Sequence, residues 1–552
     1  MRKSILTIII IVPLLLAGCI GELAPQPGPD PGPSPSPTDA PDPGPVVTTL
    51  PDGAMVGQRE LRRLTTREYD ATVRDVFALG ADWAGAGLPP DRSSVAGFDN
   101  DVALLAVDDT RAEDLAAAAE RVADTVMQRG LAAAGVGACA TPGRTCVAAL
   151  LDGLAPRLLR RSVPAADKER YLTTYDRIIA LGATPADGVQ WSLVALLSSP
   201  YFLYRSELGE PAGDAYQLTG EEIATALAYD FSGAPPSDDL MARARRGELS
   251  DPAARLTEAR RLLDSPRGHQ VVEHFLERWL NYAEVRTLAK DERLVPGFAA
   301  LRADLAEETR RFLEHIFFTR KGSVADLFTS ADTFVSPALA AHYGLAAPAQ
   351  PFGQVQRPAE QALGLLAQGS ILARFALTDS TSPPQRGAFI RRRFMCQELP
   401  PPPPNVGQAP VPTPGVTTRE RYQQVTAAPT CAGCHALIND VGFALENFDT
   451  AGRYRTTEEG KPINASGKLV GFGPTELTFA TGRELAQHLA ASPDVAHCVG
   501  SKMAVYTFGL AEASALPTTA QQTALASGAS SLYEFLAQLT AAPHFTRRAP
   551  PR

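Results

Sequence analysis

The chain is predicted to be all-α, with several helical domains in tandem, long irregular loops between them and a C-terminal region built around one CxxCH motif. Helix-opening signals followed by apolar residues at helical spacing recur along its length. β-Branched alternation between tight turns is scarce. Scale agrees: 552 residues with 45% hydrophobic side chains suffice for several compact units.

The first element is a leader. Arg2 and Lys3 precede an apolar run from Ile5 to Leu16 that closes on Leu16-Ala17-Gly18-Cys19, the shape of a secretory signal over residues 1–19. The run is short for a bilayer span, which leaves a single-span anchor as the alternative. Leu-Ala-Gly-Cys resembles the bacterial lipobox, which implies cleavage before Cys19 and a diacylglycerol on its sulfur. The expected location is the bacterial cell envelope, held to the membrane by that lipid. Ile20, rather than Asp, follows the cysteine and favours the outer membrane, facing periplasm or surface. Residues 20–57, rich in Pro, Gly, Asp and Ser, bury little apolar surface and read as a tether.

Residues 58–130 form the first helical domain. Thr65 and Glu68 make a capping-box pattern, Tyr69, Val73, Val76 and Phe77 follow at helical spacing, and Gly80 marks the stop. The loop from Gly87 to Asp101 joins two helices; its acidic residues fit turn chemistry, since their spacing matches no EF-hand. The second domain, 135–210, contains Arg160-Arg161-Ser162-Val163-Pro164 and an apolar helix around Trp191. In the third, 215–347, Thr219 and Glu222 open a helix carrying Ile223, Leu227 and Tyr229, and Asp251-Pro252 starts another. Phe298, Leu301, Leu305, Phe312 and Ile316 form an apolar stripe farther on. Glu308 with His315, and Glu273 with His274, read as helix-face residues because they lack the paired Glu-x-x-His pattern of a di-iron bundle. Residues 360–460 carry the CxxCH motif. Within them Arg391-Arg392-Arg393 reads as a solvated helix face, and Pro400 to Pro404 as a stiff break. A last helical domain spans 463–548.

The motif is Cys431-Ala432-Gly433-Cys434-His435, the spacing of a c-type haem attachment site. Two thiols can add to the haem vinyl groups while the adjacent imidazole ligates the iron. The alternatives are a zinc site on the same thiols or a local disulfide. Thr417 and Glu420 cap a helix through Tyr422 and Val425 that leads to Pro429-Thr430 and then to a CxxCH turn. Downstream, Phe443, Leu445 and Phe448 are placed either to cover a porphyrin or to fill a core. Arg453 and Arg455 are placed to pair with haem propionates or with Glu446 and Asp449. Met503 is the candidate sixth ligand, against ordinary core packing, with His488 and His497 as competitors. An open sixth position would point to ligand binding or peroxide chemistry instead.

Of seven cysteines, lipid takes Cys19 and haem takes Cys431 and Cys434. The even remainder suits an oxidising compartment. Cys139 with Cys146 would close a small turn-rich loop and Cys396 with Cys498 would staple distant segments; four buried free thiols are the alternative. The formal charge is −9, more negative once Arg2 and Lys3 leave with the signal. With no sustained basic tract, nucleic acid is not an expected partner. No nucleophile elbow, P-loop, dinucleotide fingerprint or HExxH zinc motif is present.

Several words of the sequence, in this order, resemble one family. They are Arg63-Leu64-Thr65 with Tyr69, Phe98-Asp99-Asn100, Arg160-Arg161 with Pro164, and Leu339-Ala340-Ala341-His342-Tyr343-Gly344. Ser382-Pro383 with Arg386-Gly387, the stretch from Cys396 to Asn405, and Cys431 to Arg455 continue the series. The family is one of large planctomycete and myxobacterial surface proteins, made of tandem domains of unknown function with a cytochrome-c-like CxxCH block. The resemblance implies an extracytoplasmic protein and a haem-carrying module, and brings no activity. Tyr506-Thr507-Phe508-Gly509 resembles the final domain, with Leu510 where that pattern has Arg. Three functions stay open: a membrane-tethered c-type haem protein passing electrons to a redox partner protein, a non-redox scaffold or adhesin, and an enzyme with its active site in residues 215–347.

Overall fold

Capping boxes open the helices where the sequence marks them. The Thr65 side chain accepts from the Glu68 backbone and Glu68 returns a bond to Thr65, opening helix Thr66–Val76. Thr219 with Glu222 opens Gly220–Ser232, and Asp251 caps Pro252–Leu263. Each satisfies amide donors that a helix start leaves without partners. The computed structural model describes residues 61–136, 139, 141–400, 409–472, 476–510 and 531–550, all within the unit Pro45–Arg552. The signal, Cys19, the tether and Pro401 to Pro404 lie outside the described residues.

The described residues are mainly helical, with strands only as small antiparallel ribbons. The first helix ends at Val76, before Gly80, because Ala78 itself adopts the left-handed backbone that turns the chain (φ 51°).

One core gathers Tyr69, Val73, Val122, Val126, Leu150, Leu193 and Phe202, side chains from both of the first two sequence domains. A second, larger core runs from Phe98 through Phe231, Phe275, Trp279, Phe312, Phe394 and Phe448 to Tyr533 and Phe545. A third, around Phe298, Leu305, Leu339 and Tyr343, lies under the stripe helix Phe298–Glu314. Long-range ribbons cross between segments. Leu61–Arg63 pairs with Tyr204–Ser206, and Arg547–Arg548 joins Ala215–Gln217. Around them Asp230 accepts from Arg62 at 2.9 Å and from Arg205 at 2.7 Å, Arg205 reaches Glu68 at 3.3 Å, and Arg548 pairs with Glu207.

Both expected disulfides are present. Cys139–Cys146 closes its small loop at a Cα separation of 4.7 Å, and Cys396–Cys498 joins segments 102 residues apart. The second bond encloses the whole CxxCH region in one loop.

Two sequence readings are corrected. Arg391 does not lie on a solvated face: it is fully buried, donating to the carbonyls of Leu437 and Val470 and to Gln397 Oε1. Burial pulls its guanidinium down to about 10. Glu308 is also fully buried rather than on a helix face. Its carboxylate accepts from Tyr343 Oη at 2.7 Å, Thr333 Oγ1 at 2.6 Å, Arg357 Nη2 at 2.9 Å and the Gly369 amide at 3.3 Å.

Candidate cofactor attachment site

The capping box of Thr417 and Glu420 opens helix Thr418–Val425 as expected. The next helix then differs from expectation. Pro429 begins helix Pro429–Phe443, so the CxxCH residues lie in its opening turns, not in a turn ahead of it. Proline at the first helical position costs no hydrogen bond and presets φ. Positions 431, 434 and 435 are related as i, i+3 and i+4, which puts both sulfurs and the imidazole on one helix face.

This helix has a rigid back. Helix Pro383–Phe394 crosses it so closely that a Cβ on Gly387 would overlap the Ile438 carbonyl, and one on Gly442 the Pro383 carbonyl. Arg386, buried among them, donates to the Leu445 and Phe448 carbonyls at 2.8 Å each and to the Asp449 carbonyl at 2.7 Å. Burial pulls its guanidinium down to about 10. With the carbonyl contacts of Arg391, the Ser382-to-Arg391 segment sets the position of the CxxCH helix from behind.

The front is open. Cys431 is half-buried, Cys434 is exposed, and both thiols are free. From Gln423 to Asn439 the chain has no Asp, Glu, Lys or Arg. Val425, Ala427, Ala428, Pro429, Gly433 and Ala436 are exposed along this stretch.

His435 is oriented by a short relay. Thr426 Oγ1 donates to the Tyr422 carbonyl at 2.6 Å, so it accepts from Asn439 Nδ2 at 3.0 Å. Asn439 therefore turns Oδ1 toward His435 Nδ1, at 2.8 Å, and that nitrogen must carry the hydrogen. Nε2 keeps its lone pair, as a metal-ligating histidine requires.

These donors fit a covalently attached haem. Each sulfur bonds a different vinyl carbon, so the thiols need not converge on one point, and an apolar macrocycle suits the uncharged surface around them. Zinc needs all its donors about one centre. Among the described residues no three His, Cys, Asp or Glu side chains are grouped to hold a metal ion.

Comparison with protein families gives four matches, each described as a protein of unknown function. PSD3 (DUF1587) spans residues 62–128, PSD5 (DUF1595) 146–207, PSD4 (DUF1592) 218–345 and PSCyt3 (DUF1588) 362–458. The chain belongs to the planctomycete-type PSD/PSCyt family. No curated protein and no solved structure matches it. The PSCyt3 segment contains the CxxCH helix, its rigid back and the His435 relay.

Other candidate residues of this PSD/PSCyt chain are placed as follows. Arg453 Nε donates to Asp449 at 2.7 Å, and Arg455 pairs with Glu446 at 3.3 Å and Glu458 at 3.2 Å, so both guanidinium groups have protein carboxylate partners. Phe443, Leu445 and Phe448 are buried. Leu445 and Phe448 belong to the large core, and Phe443 lies under the Arg419 guanidinium, 4.5 Å from its ring centroid. Met503, 2% exposed, lines a small cavity with Val271, Phe275 and Tyr506, among which there is no residue of the motif. His488 Nε2 donates to the Thr478 carbonyl at 3.0 Å. In the PSD4 segment, His274 pairs with Asp99 at 2.8 Å and His315 with Asp332 at 3.3 Å.

Sequence reasoning missed Asn439, Thr426, Arg386 and Arg391 as residues of the site. Only Asn439 carried a local signal, four residues after the histidine on the same helix face.

Proposed function

We propose that this chain is an extracytoplasmic, lipid-anchored protein that attaches a c-type haem at Cys431 and Cys434 and passes electrons through it. The observation that carries the reading is the common helix face, where two free thiols stand beside an imidazole whose Nδ1 is engaged and whose Nε2 is free. The cytochrome-like name of the PSCyt3 match over residues 362–458 points the same way.

Cys431 and Cys434 would hold the group through thioether bonds, and His435 Nε2 would ligate its iron. Bound there, the group would supply one-electron transfer. Asn439 and Thr426 fix the imidazole tautomer, and Arg386 and Arg391 hold the helix that carries all three attachment residues. Cys19 would supply the lipid that keeps the protein at the outer membrane, within reach of a redox partner protein. Among the described residues no helix is long and apolar enough to cross a membrane.

The test is a pyridine haemochrome spectrum of the full chain produced alongside a haem-attachment system. Haem that survives denaturation is expected from the wild type and not from Cys431→Ala/Cys434→Ala. Wild-type protein from that system with no haem, but with stoichiometric zinc or a Cys431–Cys434 bond, overturns the proposal. Cys19→Ser should separately abolish lipid labelling and membrane retention.

A further inference from the structure

The two disulfides of this chain sit in opposite surroundings. Cys139 and Cys146 are 7% and 0% exposed, sealed within the first core. Cys498 is also buried, at 1%, but its partner Cys396 is exposed. Both line an open pocket of about 240 Å³ whose other walls are Met395, Gln397, Gly471, Phe472, Asp494 and His497.

This pocket is built, not incidental. Gln397 is fixed by Arg391 and by the Gly471 carbonyl, 2.8 Å from its Nε2, and its amide returns to the Arg391 carbonyl at 3.1 Å. Cys396 is held between them in the left-handed backbone region, φ 48°, which a non-glycine residue occupies at some cost. Asp494 and His497 are exposed, and their side chains make no hydrogen bond or ion pair among the described residues.

We propose that Cys396–Cys498 is a thiol–disulfide exchange site that accepts a thiolate from an extracytoplasmic thiol. The incoming thiolate attacks the sulfur of Cys396, the exposed residue of the pair, in line with the S–S bond. A new sulfur–sulfur bond forms to Cys396, the Cys396–Cys498 bond breaks, and the electron pair leaves on Cys498. His497, in the same pocket, gives that sulfur its proton and regains one from water. The second thiolate of the donor then attacks the mixed disulfide at the donor sulfur and releases Cys396 as a thiolate, which is protonated by water. In balance, one dithiol is oxidised to a disulfide and Cys396–Cys498 is reduced to two thiols; with a small thiol, two molecules replace the dithiol. The site is independent of haem attachment.

The experiment uses the folded full chain with Cys19→Ser/Cys431→Ala/Cys434→Ala, so that only the two disulfides report. Reduced glutathione serves as the small-thiol probe and reduced thioredoxin as the protein-dithiol probe, with alkylation and peptide mapping against time. Thiols should emerge at Cys396 and Cys498 at least about tenfold faster than at Cys139 and Cys146. The trapped mixed disulfide should lie on Cys396. Reaction with glutathione alone assigns the site to small thiols, with thioredoxin alone to protein dithiols, and with both to either source. Equal rates at the two disulfides, reduction only after unfolding, or a mixed disulfide on Cys498 overturns the proposal. His497→Gln should slow reduction of Cys396–Cys498 at least threefold and leave Cys139–Cys146 unchanged; an unaltered rate overturns the assignment of His497 as proton donor.

Discussion

His435 Nδ1 and Asn439 Oδ1 stand 2.8 Å apart across one helical turn, and the direction of that hydrogen bond is dictated by a third residue, Thr426. Asn439 is buried and makes both of its contacts with side chains. Replacing it with Leu should leave Thr426 without its donor and free the imidazole to populate both tautomers. We expect a loss of about 1–3 kcal/mol in a urea titration. Nitrogen-15 shifts of His435 in the haem-free protein should move from the Nδ1–H pattern to a mixture. Unchanged shifts would show that Asn439 does not set the tautomer.

Arg386 should be irreplaceable by Lys. Its planar fork reaches the carbonyls of Leu445, Phe448 and Asp449 together, and an ammonium cannot serve the same spread. Arg386→Lys should cost about 2–4 kcal/mol, and Arg386→Met should leave the carbonyls without donors. Denaturation midpoints read the loss. A Lys variant of wild-type stability would refute the geometry.

Glu308 and Arg357 should be coupled. Their side chains are 0% and 2% exposed and meet at 2.9 Å. Glu308→Leu alone strands a buried guanidinium and should cost about 3–5 kcal/mol. Adding Arg357→Met should recover part of that loss, so the double variant is more stable than the sum of the singles. Simple additivity in a double-mutant cycle would contradict the contact.

Acid should act through His544. Burial, then the nearby Arg548 charge, pulls the imidazole down to about 4. In the unfolded chain it protonates near pH 6.5. Between these values the unfolded state binds the extra proton, so this contribution is complete above about pH 6.5 and disappears as pH falls toward 4. The full change is on the order of 3 kcal/mol. His544→Gln should flatten stability against pH over that window, as measured by urea titrations at pH 7 and 4.5. An equal acid loss in both proteins would assign the effect elsewhere.

What the sequence disclosed, it disclosed through local chemistry. The capping boxes at Thr65, Thr219 and Thr417 need only residues three apart, and the helices follow. Cysteine parity, with the turn-rich loop between Cys139 and Cys146, pointed to the two disulfides. Arg391 was opaque because its acceptors, Leu437 and Val470, lie 46 and 79 residues away. No neighbour in the sequence distinguishes it from Arg392, which is exposed. Asn439 was visible as a neighbour of His435 on the helix, but its orientation depends on Thr426, buried in the preceding turn. Met503 was ambiguous in principle, since a thioether in an apolar helix suits a core as well as an iron.

The ribbon formed by Arg547–Arg548 with Tyr216 and Gln217 bears on how the molecule is made. A chain emerging from a pore in order exposes Glu207 and the edge of Ala215–Gln217 more than three hundred residues before their partners arrive. Closure of that seam is therefore a late, high-contact-order event that waits on vectorial delivery of the far segment. Until then the edge strand and its carboxylate are open to holdases and proteases alike.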